Sequence, residues 1–145
     1  MLWLALVLVL DRLTKIWAMT ELKSKAAVEI LPGVLEFRYA ENTGIAFSLL
    51  NDMPMLLTLV NSLIVLALIY WAWSQKQFGL GMILIIAGGL GNLIDRFLYG
   101  YVVDFINPLF IDFAVFNISD IALNIGVAII IWESISESLS RRKRA

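Results

Sequence analysis

Apolar residues in this chain fall in four long runs, at about residues 1–19, 54–73, 78–99 and 114–135. Polar residues gather between the runs or in tight clusters inside them. Each run is close to the ~20 residues a helix needs to cross a hydrocarbon core, so the pattern predicts an α-helical integral membrane protein with four transmembrane helices. The first run is interrupted by Asp11, Arg12 and Lys15, whereas the second carries no charge. A cleavable secretory signal would place basic residues ahead of its apolar core. Here Met1 leads straight into Leu2, Trp3 and Leu4, so a retained helix is expected. Residues 20–52 are too long for a simple turn. Short alternating patterns at 28–30 and 35–39, separated by Pro32 and Gly33, predict two or more strands over the outer membrane surface, a small external β-containing subdomain. Residues 100–113 read as a second external loop, and all 145 residues as one membrane-embedded domain.

Composition supports the membrane reading and narrows the chemistry. The chain is 61% hydrophobic and 16% charged, with mean hydropathy +0.86, whereas a soluble domain is roughly half apolar and a quarter charged. The net charge of −1 leaves no basic footprint for nucleic acid. Cys and His are absent. That excludes disulfides, thiol nucleophiles, Ser–His and Cys–His pairs and the usual zinc sites. Acid–base work falls to carboxylates, Lys, Tyr or water. Lys76 in a tight turn and the basic tail at 141–144 predict that these ends face the cytoplasm, since Lys and Arg in short loops set orientation. An even number of spans then puts the N-terminus there as well. The first loop, with three basic and five acidic residues, weakens this signal without reversing it. Trp71, Trp73 and Trp132 suit the interfaces.

Ionisable groups inside apolar spans are costly and default to functional candidates. Asp11, Thr14 and Lys15 share a helix face. For Lys15, an interfacial ion pair with its head snorkelling outward and a functional role stand equal, while Asp11, lying deeper, suits a structural or substrate-orienting role. Gly88, Gly89 and Gly91 fit close helix packing. Asn92, Asp95 and Arg96 share a face and read as scaffold rather than direct chemistry. Asp104 lies just past the third run, and Asp120 in the first two turns of the fourth, with Asn117 on its face. If the two helices are antiparallel neighbours, both carboxylates reach about the same depth. Such a pair cannot readily ionise twice, so one member can activate water while the other protonates the leaving group. Two solvated loop acids, or an ion-coordinating pair in a transporter, remain open on spacing alone. A transporter would often show internal repeats, and none is visible. A serine–lysine protease using Lys15 with Ser48 or Ser119 has no supporting motif, and a non-catalytic scaffold would have little need of so many polar residues. Asn42, Thr43 and Gly44 form a weak turn signal, after which Ala46 and Phe47 suggest a dip toward the membrane.

Five ordered motifs carry a resemblance: DRLTK at Asp11, ENTGIAFS at Glu41, GGLGNLIDR at Gly88, YVVDFI at Tyr101 and FNISD at Phe116. Together they span nearly the whole chain, which resembles the bacterial lipoprotein signal peptidases, or signal peptidase II. The resemblance implies four transmembrane helices, a small external strand-containing subdomain and both termini in the cytoplasm. It assigns catalysis to Asp104 and Asp120, with Asp11, Asn42, Asn92, Asp95, Arg96 and Asn117 lining or supporting the site. The implied enzyme is an intramembrane aspartic endopeptidase of the bacterial inner membrane, its active site toward the outer face. It cuts diacylglyceryl-modified prolipoproteins just before the lipidated Cys. Membrane lipid and globomycin-type cyclic peptide inhibitors are the other implied partners. No metal or organic cofactor is implied, and a monomer is expected. The chain departs from the pattern at Ser119, where Ala is common, and in a start that reads as trimmed or unusually short.

Overall fold

The computed structural model describes residues 1–44 and 54–142. Ala46, Phe47 and Ser48, and Lys143 and Arg144 of the basic tail, lie outside the described residues. The chain runs α1 (Leu2–Glu21), β1 (Val28–Leu31), β2 (Leu35–Asn42), α2 (Pro54–Ser74), α3 (Leu80–Tyr99), β3 (Val102–Pro108) and α4 (Ile118–Arg142). Helices α2, α3 and α4 are long and apolar enough to cross a membrane. The remaining helix, α1, is 20 residues long but carries Asp11, Arg12 and Lys15. Large apolar side chains such as Leu6, Leu59, Leu63 and Ile131 point outward. That suits a chain whose surroundings are hydrocarbon, where a helix satisfies its own backbone.

Helix α3 is the axis of the bundle and packs against α1, α2 and α4. Its glycines make this possible. A Cβ on Gly88 would run into the carbonyl of Ser119, and one on Gly91 into the Ser119 hydroxyl. Gly81 and Gly126 press against each other's helices in the same way, and Gly89 meets Val65 of α2. Small residues thus bring α3 and α4 to backbone distance, as the glycine pattern leads one to expect.

The segment read as an external loop at 100–113 is a strand over much of its length. Gly100, in the left-handed region at φ 80°, caps α3 and turns the chain at once into β3. Strands β1, β2 and β3 form an antiparallel sheet in that order, with Ala40 opposite Asp104 and Asn42 opposite Val102. The alternation that marks a half-exposed strand is missing from β3 because Val102, Val103, Asp104 and Phe105 are all buried. Val103 and Phe105 pack on Ala18 of α1 and on Leu22 just beyond its end, beside the edge-to-face rings of Trp17, Phe37 and Phe105. Strand geometry then sends Val102 and Asp104 to the opposite face. The fourth helix begins at Ile118 rather than near 114, because Phe116 pairs with Ile106 at the edge of β3 before the helix can start.

Candidate active site

Asn117 is the residue before α4, and Asp120 is the third residue of that helix. They cap it reciprocally. The Asp120 N–H donates to Asn117 Oδ1 at 3.0 Å, and the Asn117 N–H donates to Asp120 Oδ2 at 3.2 Å. This is the geometry of a capping box, and it fixes the Asp120 carboxylate at the helix entrance. Asp104 arrives from β3, and each of its oxygens accepts from a different asparagine. Asn42 Nδ2 lies 2.9 Å from Oδ2 and Asn117 Nδ2 lies 2.6 Å from Oδ1. Asn92 on α3 closes the circuit: its Nδ2 donates to Asp120 Oδ1 at 2.7 Å, and its Oδ1 accepts from Asn117 Nδ2 at 3.1 Å. The two aspartates therefore hang on one chain of amides, in which Asn42, Asn92 and Asn117 each donate a side-chain N–H to a carboxylate and Asn117 also donates to the Asn92 carbonyl.

Asp104 is 1% exposed, so it is no solvated loop acid. Burial, followed by the neighbouring charge of Asp120, pushes its carboxyl up to about 7, against the opposing pull of the Asn42 and Asn117 donors. Asp104 consequently retains a proton close to neutral pH.

Behind the amide chain lies an ionic cluster that ties the elements together. Lys15 is fully buried, which corrects the reading of an outward-snorkelling head. Its Nζ sits 3.0 Å from Asp11 Oδ2, 2.9 Å from Asp95 Oδ2 and 3.0 Å from Asn92 Oδ1. Asp11 also accepts the Ser119 N–H at 3.0 Å, strapping α4 to α1. Asp95 accepts the Val103 N–H at 3.1 Å, strapping β3 to α3, and pairs with Arg12. Asp95 and Arg96, neighbours in sequence, diverge in space: Arg96 Nη2 donates to the Gly44 carbonyl at 3.0 Å. Thr14 stays apart from this cluster and donates to backbone carbonyls of its own helix. The Ser119 hydroxyl is buried without a partner among the described residues, so its presence in place of Ala serves no interaction there.

A cavity of about 470 Å³ opens beside Asp120. Asn42, Gly44, Asn92, Arg96 and Asp120 form its polar end, and residues of α2, α3 and α4 such as Ile64, Ile85 and Leu123 its apolar end. Of the residues singled out from sequence, the structure gathers Asp104, Asp120, Asn42, Asn92 and Asn117 around one point and places Asp11 and Asp95 behind it with Lys15. Arg12 was noted as a charge in the first run but given no role, and Asn61 was not singled out. Arg12 lies off the Asp11–Lys15 face, and its partner is 83 residues away in sequence. Asn61 is uncharged, but an amide in an otherwise apolar span was a usable signal.

A family model described as Signal peptidase (SPase) II matches residues 3–136. A lipoprotein signal peptidase of Thermosynechococcus vestitus is 40% identical over 144 residues, covering 91% of this chain and 89% of the relative. One from Streptococcus pyogenes serotype M5 is 34% identical over 132 residues, covering 88% and 87%. A solved structure of a bacterial membrane enzyme superposes with TM-score 0.85 at 34% identity, covering 94% of this chain and 87% of that one.

Proposed function

The chain belongs to the signal peptidase II family, and from that premise we propose that Asp104 and Asp120 are the acid–base pair that hydrolyses the bond between a signal peptide and a prolipoprotein. The observation that carries this reading is the shared asparagine: Asn117 holds Asp104 with its side chain and Asp120 with its backbone. Two carboxylates so linked favour holding one proton between them. Asp104, with its raised affinity for protons, supplies the acid. Asp120, at the cavity wall, supplies the base. Asp120 takes a proton from water as the water oxygen bonds to the scissile carbonyl carbon. Asp104 donates to the carbonyl oxygen. Collapse of the tetrahedral intermediate breaks the C–N bond, and the leaving amine takes up a proton from the pair. No metal or organic cofactor takes part.

All four helices span the inner membrane in this reading. The charges of α1 do not oppose it, because Asp11 and Lys15 are buried against the bundle rather than facing lipid. The turn holding Lys76 and the basic tail lie in the cytoplasm with the N-terminus, so the sheet and the dyad lie at the outer face. The apolar end of the cavity suits a substrate still anchored in the bilayer by the diacylglyceryl group on its Cys, with the cut just before that residue. Globomycin-type cyclic peptides inhibit by filling the same cavity, and the monomer is sufficient. The test is cleavage by purified protein in detergent, read by gel shift. Diacylglyceryl-modified prolipoprotein is cut. The unlipidated form, lacking anchoring of about 0.8 kcal/mol per buried methylene, is cut very poorly. Efficient cleavage of the unlipidated form would show that lipid is not read.

A further inference from the structure

Asn61 stands out on α2. It is a half-buried amide in an uncharged apolar helix, and it lines the cavity together with Ile64, Val65 and Leu68, one stripe at helical spacing. It has no hydrogen-bond partner among the described residues. Ser62 beside it is satisfied by the Thr58 carbonyl at 2.7 Å, whereas the Asn61 amide is left toward the cavity.

Its depth can be read from the packing. Val65 is the side chain that Gly89 of α3 admits. Helices α2 and α3 are consecutive and joined by a short turn, so they run antiparallel. One turn from Val65 toward the start of α2 is Asn61, and one turn from Gly89 toward the end of α3 is Asn92 or Leu93. Asn61 therefore sits level with Asn92, whose amide holds Asp120, and both line the same cavity. An amide left unpaired in an apolar wall is costly, so an occupant that completes its hydrogen bonds gains by doing so. A lipidated peptide offers carbonyl oxygens in its backbone and in the ester links of its lipid, and the latter have no N–H beside them.

We propose that Asn61 is a substrate-binding residue whose side-chain N–H donates to a carbonyl oxygen of the bound prolipoprotein, on the wall facing the Asp120 side of the cavity. The carbonyl belongs either to the peptide backbone beside the scissile bond or to an ester of the diacylglyceryl group. The inference rests on the peptidase reading above. The contact is made away from the reacting carbon, so it contributes equally to ground state and transition state and shows in KM.

The experiment compares the purified full-length enzyme with Asn61→Leu, which keeps the γ-branched shape and suits an apolar wall, on diacylglyceryl prolipoprotein. Loss of one neutral hydrogen bond of ordinary worth raises KM about fivefold, with kcat and the pH profile unchanged. Asn61→Gln, which keeps the amide, recovers part of the loss. An ether-linked substrate, which lacks the ester carbonyls, separates the two sources. If wild type already shows the raised KM on it and Asn61→Leu adds nothing, the partner is the ester. If Asn61→Leu loses as much on the ether as on the ester substrate, the partner is the peptide. A KM within twofold of wild type on the ester substrate overturns the proposal, as does a loss confined to kcat. Asp104→Asn is run alongside: its inactivity keeps the peptidase reading intact whatever Asn61→Leu does, and its activity would sink that reading independently.

Discussion

Replacing Lys15 by Met removes the ammonium that holds Asp11 and Asp95 apart from each other's charge. The two ion pairs, at 3.0 and 2.9 Å, are each worth about 5 kcal/mol of gross attraction at an effective dielectric near 20. Desolvation of a lysine with no exposed surface offsets much of that. Breaking such a buried pair by removing one partner costs about 3–5 kcal/mol, because a charge is left uncompensated. The loss is unequal at the two sites. Asp95 keeps Arg12 and the Val103 N–H, whereas among the described residues Asp11 keeps only the Ser119 N–H. Thermal unfolding in detergent, followed by tryptophan fluorescence, should place Lys15→Met roughly 10 °C below wild type for a chain of this size. Adding Asp11→Asn removes the stranded charge and leaves Oδ1 to accept the Ser119 N–H, so the double variant should melt above Lys15→Met. A single variant within 2 °C of wild type, or a double variant no more stable than the single, would refute the reasoning.

Two further outcomes follow from the site and its orientation. Asn42→Leu removes a donor that favours the charged form of Asp104. If Asp104 is the acid, activity falls as pH rises through about 7 in wild type, and the alkaline limb of kcat/KM moves to higher pH in the variant; a limb that stays or moves down contradicts the assignment. In the Cys-free chain, a single Cys at Gln77 should react with an impermeant maleimide only from the cytoplasmic side. One at Phe110, 72% exposed near the sheet, should react only from outside, and reversed labelling would put the dyad on the wrong face.

The sequence disclosed the four helices because each needs one long apolar run, and it disclosed β1 and β2 because their short apolar–polar alternations flank the break at Pro32 and Gly33. It hid β3. Val102–Val103–Asp104–Phe105 is covered on both faces, and its partner strand lies some 60 residues earlier, so neither period nor local pairing marks it. Asp104 could be singled out as an acid without showing that a strand aims it. Asn117 and Asp120 were legible together because a three-residue spacing is local, although it read as a shared helix face rather than as the cap the structure shows. The amide chain through Asn92 and Asn42 was not, since its links join residues 25 to 62 apart. The outward-snorkelling alternative for Lys15 failed for the same reason. Helical spacing revealed Asp11, but Asp95 and Asn92 approach from another helix.

The claim that most needs testing is that two aspartates do the chemistry, and turnover of diacylglyceryl prolipoprotein by Asp104→Asn and Asp120→Asn tests it directly. Both variants keep the volume of the side chain but lose the proton-transfer function. Each should be inserted and folded, with cleavage reduced at least a thousandfold, on the order of general acid–base catalysis and beyond. Substantial turnover by either folded variant would contradict the account.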